Sequence, residues 1–145
     1  QMVCGAPKIR EALLAFLSFA HGAVWMAHNA PFDVKILAAE FYRSGLPIPK
    51  RYVLDSCRLS RRFNPALKSH SLGNVCLHYG IRNEQAHRAL GDSLAVMHAF
   101  RRMIEQHPSL NLRELISRHG APYDFDRAIK SSSCIPRYAD IERTD

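Results

Sequence analysis

Two short segments of the chain set acids and histidines at spacings that could carry chemistry. The first is Ala27-His28-Asn29-Ala30-Pro31-Phe32-Asp33. It follows the apolar run Ala23 to Ala27, and Asp33 falls in the first turn of the helix that Pro31 opens. An acid just past a buried strand lies where α/β sheets open a crevice for ligands, so a cation could sit against it. The same acid has an ordinary use, because a carboxylate in a first turn stabilises its helix through the macrodipole by about 0.3 to 1 kcal/mol. Asn29 can serve as a local cap. Taken alone, Asp33 reads first as a dipole stabiliser.

The second segment is His87-Arg88-Ala89-Leu90-Gly91-Asp92. Five residues of helix turn through about 500 degrees, which would leave His87 and Asp92 on different faces. His87 therefore precedes the helix and Asp92 lies one turn inside it. A loop histidine and a fixed carboxylate can converge on one cleft, with His87 as a mobile general base. Gly91 suits a place where a backbone or ligand comes close, and otherwise only weakens the start of the helix. A loop histidine with no partner is usually just solvated.

The elements that must position these groups follow from apolar spacing. Ile9, Leu13, Phe16, Leu17 and Ala20 share one face of a helix that Pro7 precedes and Gly22 ends. Ala23 to Ala27 reads as a strand buried on both faces. A second helix runs from Pro31 to about Arg43, with Phe32, Ile36, Leu37 and Phe41 as its buried stripe. Arg51 to Leu54 reads as a second strand, and Asp55 at its carboxyl end occupies a position favoured for functional groups. A helix over about Ser71 to Tyr79 takes Ser71 as its cap and turns Leu72, Val75, Cys76 and Tyr79 to one side. Another over about Ala89 to Gln106 turns Leu90, Leu94, Met97 and Ile104 inward and leaves Arg101, Arg102 and Glu105 wet. Asn111 and Glu114 have capping-box spacing for a short helix to about Arg118, before a loosely ordered tail rich in Ser, Gly and Pro.

The chain has 145 residues, 47% hydrophobic and 23% charged, which fits one globular domain and excludes disorder and collagen-like repeats. Its longest apolar run is far below the roughly 20 residues of a membrane span. Twenty Lys and Arg against thirteen Asp and Glu give a formal charge of +7, which favours a polyanionic partner, nucleic acid before anionic membrane. The four cysteines, Cys4, Cys57, Cys76 and Cys134, have neither zinc-ligand nor disulfide-framework spacing, so a reducing cytoplasm is the expected setting. The alternation of strand and helix implies an α/β domain, yet only two strands are legible where a sheet averages about five or six. Part of the sheet is expected to lie before Gln1.

His28-Asn29-Ala30-Pro31-Phe32-Asp33 resembles the H-N-x-x-F-D motif of the DnaQ-like 3′-to-5′ exonucleases of the DEDDh type. His87-Arg88-Ala89-Leu90-Gly91-Asp92 resembles their H-x-A-x-x-D motif. Gly5-Ala6-Pro7 and Leu54-Asp55-Ser56 with Leu59, Ser60 and Arg61 also look like the family's connecting segments, and the resemblance runs from about residue 2 to about 105. The family includes the proofreading subunit of bacterial replicative polymerase. The resemblance implies an α/β, ribonuclease-H-like, DnaQ-type mixed sheet flanked by helices and lacking its first strands. It divides the chain into a partial exonuclease domain, 1–106, and a short helix with a tail or linker, 107–145.

What the resemblance implies for chemistry is hydrolysis of phosphodiester bonds at the 3′ end of DNA, with RNA as the alternative, by two Mg²⁺ or Mn²⁺ ions. Asp33 and Asp92 would be metal ligands and His87 the base. His28, Asn29 and Phe32 would line the site beside the terminal nucleotide of a single-stranded 3′ end, and a DNA polymerase subunit is an expected partner; no membrane is involved. The family's Asp-x-Glu strand motif has no counterpart before Asp33, where Glu11 is the only acid. An amino-terminally truncated domain, inactive or nearly so as this stretch alone, is the expectation. Tyr138-Ala139-Asp140-Ile141-Glu142-Arg143-Thr144 has the missing spacing and offers a permuted or tandem alternative, whereas Asp124-Phe125-Asp126 reads as a turn. The rival reading keeps the fold and the basic surface as a non-catalytic nucleic-acid-binding or polymerase-associated module.

Overall fold

The computed structural model describes residues 5–49, 51–83, 88–111, 113–115 and 122–124. These fall into two compact units, one drawn from within 1–25, 31–52 and 123–145, the other from 26–30 and 53–122. The elements are α1 (Ile9–Phe19), β1 (Trp25–Ala27), α2 (Ala30–Arg43), β2 (Tyr52–Asp55), α3 (Ser56–Phe63), α4 (Leu72–His78), α5 (Ala89–Glu105) and β3 (Pro122–Asp124). The strands form one small parallel sheet in the order β1-β2-β3. A mixed sheet was the expectation; the three strands among the described residues form a parallel one.

In the first unit, the side chain of Glu11 accepts the Lys8 backbone N–H at 3.2 Å and closes the amino end of α1. Leu13 and Ala20 are buried, while Ile9, expected on the same face, is half exposed at the first position of the helix. Phe16 packs on Trp25 at 4.8 Å between ring centroids, and the Trp25 indole N–H donates to the Ala20 carbonyl at 3.4 Å. Gly22, at φ 73°, turns the chain from the helix toward the strand. The strand is shorter than the apolar run predicts: Val24 is 47% exposed, and only Trp25 of β1 is buried.

The buried face of α2 includes Phe41, as expected, and corrects the reading at Phe32 and Ile36. Val34, Ala38 and Phe41 have no exposed surface and Ala39 has little, whereas Phe32 and Ile36 are 64% and 49% exposed. Val34 and Ala38 share helical spacing with Phe41 as well as Phe32 and Ile36 do. Alanines are weak hydrophobic markers, so the bulkier side chains draw the eye to the wrong stripe.

In the second unit Leu54, Leu59, Val75, Ala99, Met103 and Leu115 form the core, with Met26, Phe63, Tyr79, Ile81, Phe100, Ile104 and Leu110 around it. Ser71 caps α4 through Asn74, burying Val75 and Cys76. The Asn111 and Glu114 box is closed in both directions, with Glu114 N–H donating to Asn111 Oδ1 at 2.9 Å and Asn111 N–H to Glu114 Oε2 at 3.5 Å. On α5 the buried residues are Gly91, Ala95, Val96, Ala99 and Met103. Leu90, Leu94 and Met97, expected inward, are 69%, 45% and 46% exposed, again because small residues occupy the packed face.

Two elements escaped the sequence reading. The first is α3, in a stretch taken as a connector: Asp55 caps it, accepting from the N–H groups of Cys57 and Arg58, and Ser56, Cys57, Leu59 and Ser60 are buried. The second is β3, which lies in the expected tail and includes Asp124, so the acidic pair there begins in a strand rather than a turn. Asp126, Asp140 and Glu142 lie outside the described residues.

Candidate active site

The connection between β1 and α2 consists of His28 and Asn29. Asn29 takes φ 68°, a left-handed conformation that Asn tolerates better than most side chains. Its backbone N–H donates to Asp55 Oδ1 at 3.1 Å, the same oxygen that caps α3 through Cys57 N–H at 2.9 Å. Asp55 is only 2% exposed. It is thus a brace between the β1 exit and α3, not a ligand-facing acid at a strand end.

His28 is fixed on both sides of its ring. Nε2 lies 2.8 Å from the His70 carbonyl, which can only accept, so Nε2 carries the proton. Nδ1 lies 2.9 Å from Ser56 Oγ, while that hydroxyl is 3.3 Å from the Ala27 carbonyl. In the neutral ring the Ser56 O–H donates to Nδ1, the shorter contact. Burial pushes the His28 pKa down, opposed by the His70 carbonyl bond and by Asp55, which favours this neutral tautomer. His70 is itself anchored, its Nδ1 2.9 Å from Ser60 Oγ. Ser56, Ser60 and His70 are therefore parts of the local framework that sequence reasoning missed; the contact joins positions too far apart in the chain to leave a spacing signal.

Phe32 and Asp33 follow directly in the first turn of α2, and both are exposed. Asp92 stands in the first turn of α5, half buried, and accepts a hydrogen bond from Asn83 Nδ2 at 2.9 Å. Asn83 is a further missed neighbour. His87 lies outside the described residues.

Asp33 and Asp92 bring hard anionic oxygens, the donor class that Mg²⁺ and Mn²⁺ prefer. Among the described residues, however, no group of three His, Cys, Asp or Glu side chains is placed to hold an ion. The described residues alone therefore do not make a two-metal site. Cys57 and Cys76 are no substitute, since burial raises both thiols and keeps them protonated.

Residues 1–100 match the family model described as Exonuclease. The chain belongs to this exonuclease family, which is DnaQ-like. Both motif segments fall inside the matched span. Relatives among curated proteins include the PolC-type DNA polymerase III of Halalkalibacterium halodurans, 36% identical over 104 residues, 72% of this chain and 7% of the relative. The PolC-type DNA polymerase III of Caldanaerobacter subterraneus is 35% identical over 114 residues, 79% of this chain and 8% of its own length. That of Staphylococcus saprophyticus is 32% identical over 111 residues, 77% of this chain and 8% of its own. The chain thus spans less than a tenth of the length of the relatives it matches. The family implies a ribonuclease-H-like fold, with which the helices and small parallel sheet agree. Among the described residues no helix is long and apolar enough to cross a membrane.

Proposed function

We propose that this exonuclease-family chain removes nucleotides from the 3′ end of DNA, in proofreading or a related trimming role alongside a DNA polymerase. The observation that carries the reading is the exposed pair Phe32 and Asp33 on the first turn of α2, inside a motif segment whose preceding residues are rigidly braced. The bracing leaves the backbone ahead of that turn little freedom, and preorganisation of this kind is what positioned hydrolysis requires. Phe32 packs against the terminal base, Asn29 lies beside it, and His28 holds the turn. His87 takes a proton from the attacking water, and the terminal phosphodiester is cleaved to release a nucleoside monophosphate. Asp33 and Asp92 serve among the carboxylate ligands of two divalent ions, with the further anionic ligands coming from outside the described residues.

The test is digestion of single-stranded DNA labelled at its 5′ end by the protein at its natural full length, with Mg²⁺ or Mn²⁺. A ladder that shortens from the 3′ end, lost in Asp33→Ala and in Asp92→Ala, is the expected result. An RNA strand of the same sequence, run in parallel, reads the sugar preference. Absence of metal-dependent digestion, or digestion indifferent to both substitutions, overturns the reading in favour of a binding module.

A further inference from the structure

Away from the motif residues, the second unit carries a strongly basic cleft. Ile81 and Arg82, following α4, and His98, Arg101, Arg102 and Glu105 of α5 enclose about 430 Å³. Three guanidinium groups there answer a single carboxylate. Glu105 organises two of them: its Oε1 accepts from Arg101 Nε at 2.9 Å and its Oε2 from Arg102 Nη1 at 3.1 Å. Each guanidinium has five N–H groups, so both keep most of their donors for something else. These side chains remain 76% and 61% exposed.

The helix geometry separates this cleft from Asp92. At about 100 degrees per residue, His98, Arg101 and Glu105 stand roughly 120 to 180 degrees round α5 from Asp92, and Arg102 about 80 degrees. They also lie about 9 to 20 Å further along the axis at about 1.5 Å per residue. The α5 wall of the cleft therefore lies apart from Asp92, while Arg82 adjoins Asn83, the residue that donates to Asp92.

The geometry points to a second phosphate-binding site: the Arg82, Arg101 and Arg102 cleft takes backbone phosphates of a polynucleotide strand away from the nucleotide being hydrolysed. This rests on the exonuclease reading above, since a strand being shortened extends well beyond its last residue. Guanidinium forks match phosphate oxygens bidentately, and three of them against one carboxylate leave the cleft net positive toward a phosphate. Ile81, half buried at the wall, offers apolar contact to a sugar ring. The +7 charge of the chain favours the same class of partner.

The experiment measures affinity for fluorescent oligothymidylate in EDTA, where nothing is hydrolysed, across a salt series with the full-length protein. Losing two phosphate contacts should make the plot of log affinity against log salt shallower by about 1.4, at about 0.7 per phosphate of a single strand. Arg101→Gln with Arg102→Gln should show this change, Arg82→Gln about half of it, and Arg101→Lys with Arg102→Lys very little of it. Glu105→Gln should bind more tightly than the parent, which gives a gain that misfolding cannot mimic. Unchanged slopes in the Gln variants, with digestion of DNA intact, overturn the cleft and leave the exonuclease reading standing. Shallower slopes in a protein that digests nothing keep the cleft and remove the hydrolytic reading. Binding of polyglutamate that the double Gln variant loses, with the DNA slope unaltered, overturns the phosphate assignment in favour of an acidic peptide.

Discussion

Asp55 Oδ1 accepts the backbone N–H of Asn29 at 3.1 Å while capping α3 through Cys57 N–H at 2.9 Å. One buried oxygen therefore ties the turn ahead of the Phe32 and Asp33 pair to the amino end of a helix. Asp55→Ala removes the cap and leaves buried donors unpaired, which should cost about 2 to 4 kcal/mol from a lost cap and an orphaned N–H together. Urea unfolding followed by circular dichroism measures it. A loss below half a kilocalorie would show that the brace is not holding the turn.

His28 predicts a pH dependence of stability. Its folded pKa lies below the ordinary value of 6.5, chiefly through burial. Below that ordinary value the unfolded chain takes up a proton that the folded ring resists, so the unfolded state binds more protons and stability rises with pH there. The contribution of His28 is thus present above about pH 6.5 and is lost as pH falls through the folded pKa. Unfolding midpoints between pH 5 and 7.5 should show a steeper acid-side decline in the parent than in His28→Gln. Parallel curves would rule out the neutral, doubly bonded ring.

Phe32 separates stability from function. At 64% exposure its replacement by Ala should change the unfolding midpoint little, yet raise KM for single-stranded DNA, since stacking on a base is worth about 1 to 3 kcal/mol. Phe41→Ala is the contrast: with no exposed surface, that ring leaves a cavity costing about 3 to 5 kcal/mol. If Phe32→Ala destabilised the protein as much as Phe41→Ala does, the ring would be a packing residue after all.

His87→Ala should lower turnover by about 10² to 10⁴ while leaving metal affinity nearly intact, the usual scale of general-base catalysis. Asp33→Ala and Asp92→Ala should instead lower both. The low-pH limb of the parent's rate profile should carry a pKa of about 6 to 7, near the reference value for histidine, and should flatten in His87→Ala. A retained limb would assign the base to another group.

Local signals in the sequence were strong where one side chain answers one nearby backbone group. Ser71 ahead of α4 and the Asn111 and Glu114 box lie where spacing places them. The packed faces of α2 and α5 were misread because Ala38, Ala95 and Ala99 bury fully or nearly so while carrying little hydrophobic weight. The α3 helix was hidden by its three arginines and its buried serines, since Ser56 and Ser60 are held by hydrogen bonds rather than by apolar packing. Of the candidate site, the two motif segments stood out by their resemblance to the exonuclease family, whose model spans both. The bracing of His28 by Ser56 and His70 left no such signal, because it joins positions 28 and 42 residues apart.

The two-residue link from β1 to α2 also constrains how this segment can vary in length. Both ring nitrogens of His28 and the N–H of Asn29 are committed to partners on other segments, with Asn29 already at a positive φ. An inserted residue could keep one set of anchors only by breaking the other, and a deletion would leave no residue to make the left-handed turn. Insertions and deletions should therefore be purged from positions 27 to 30 in any functional library of this chain. The exposed Pro65 and Ala66 that follow α3 are where added length should survive.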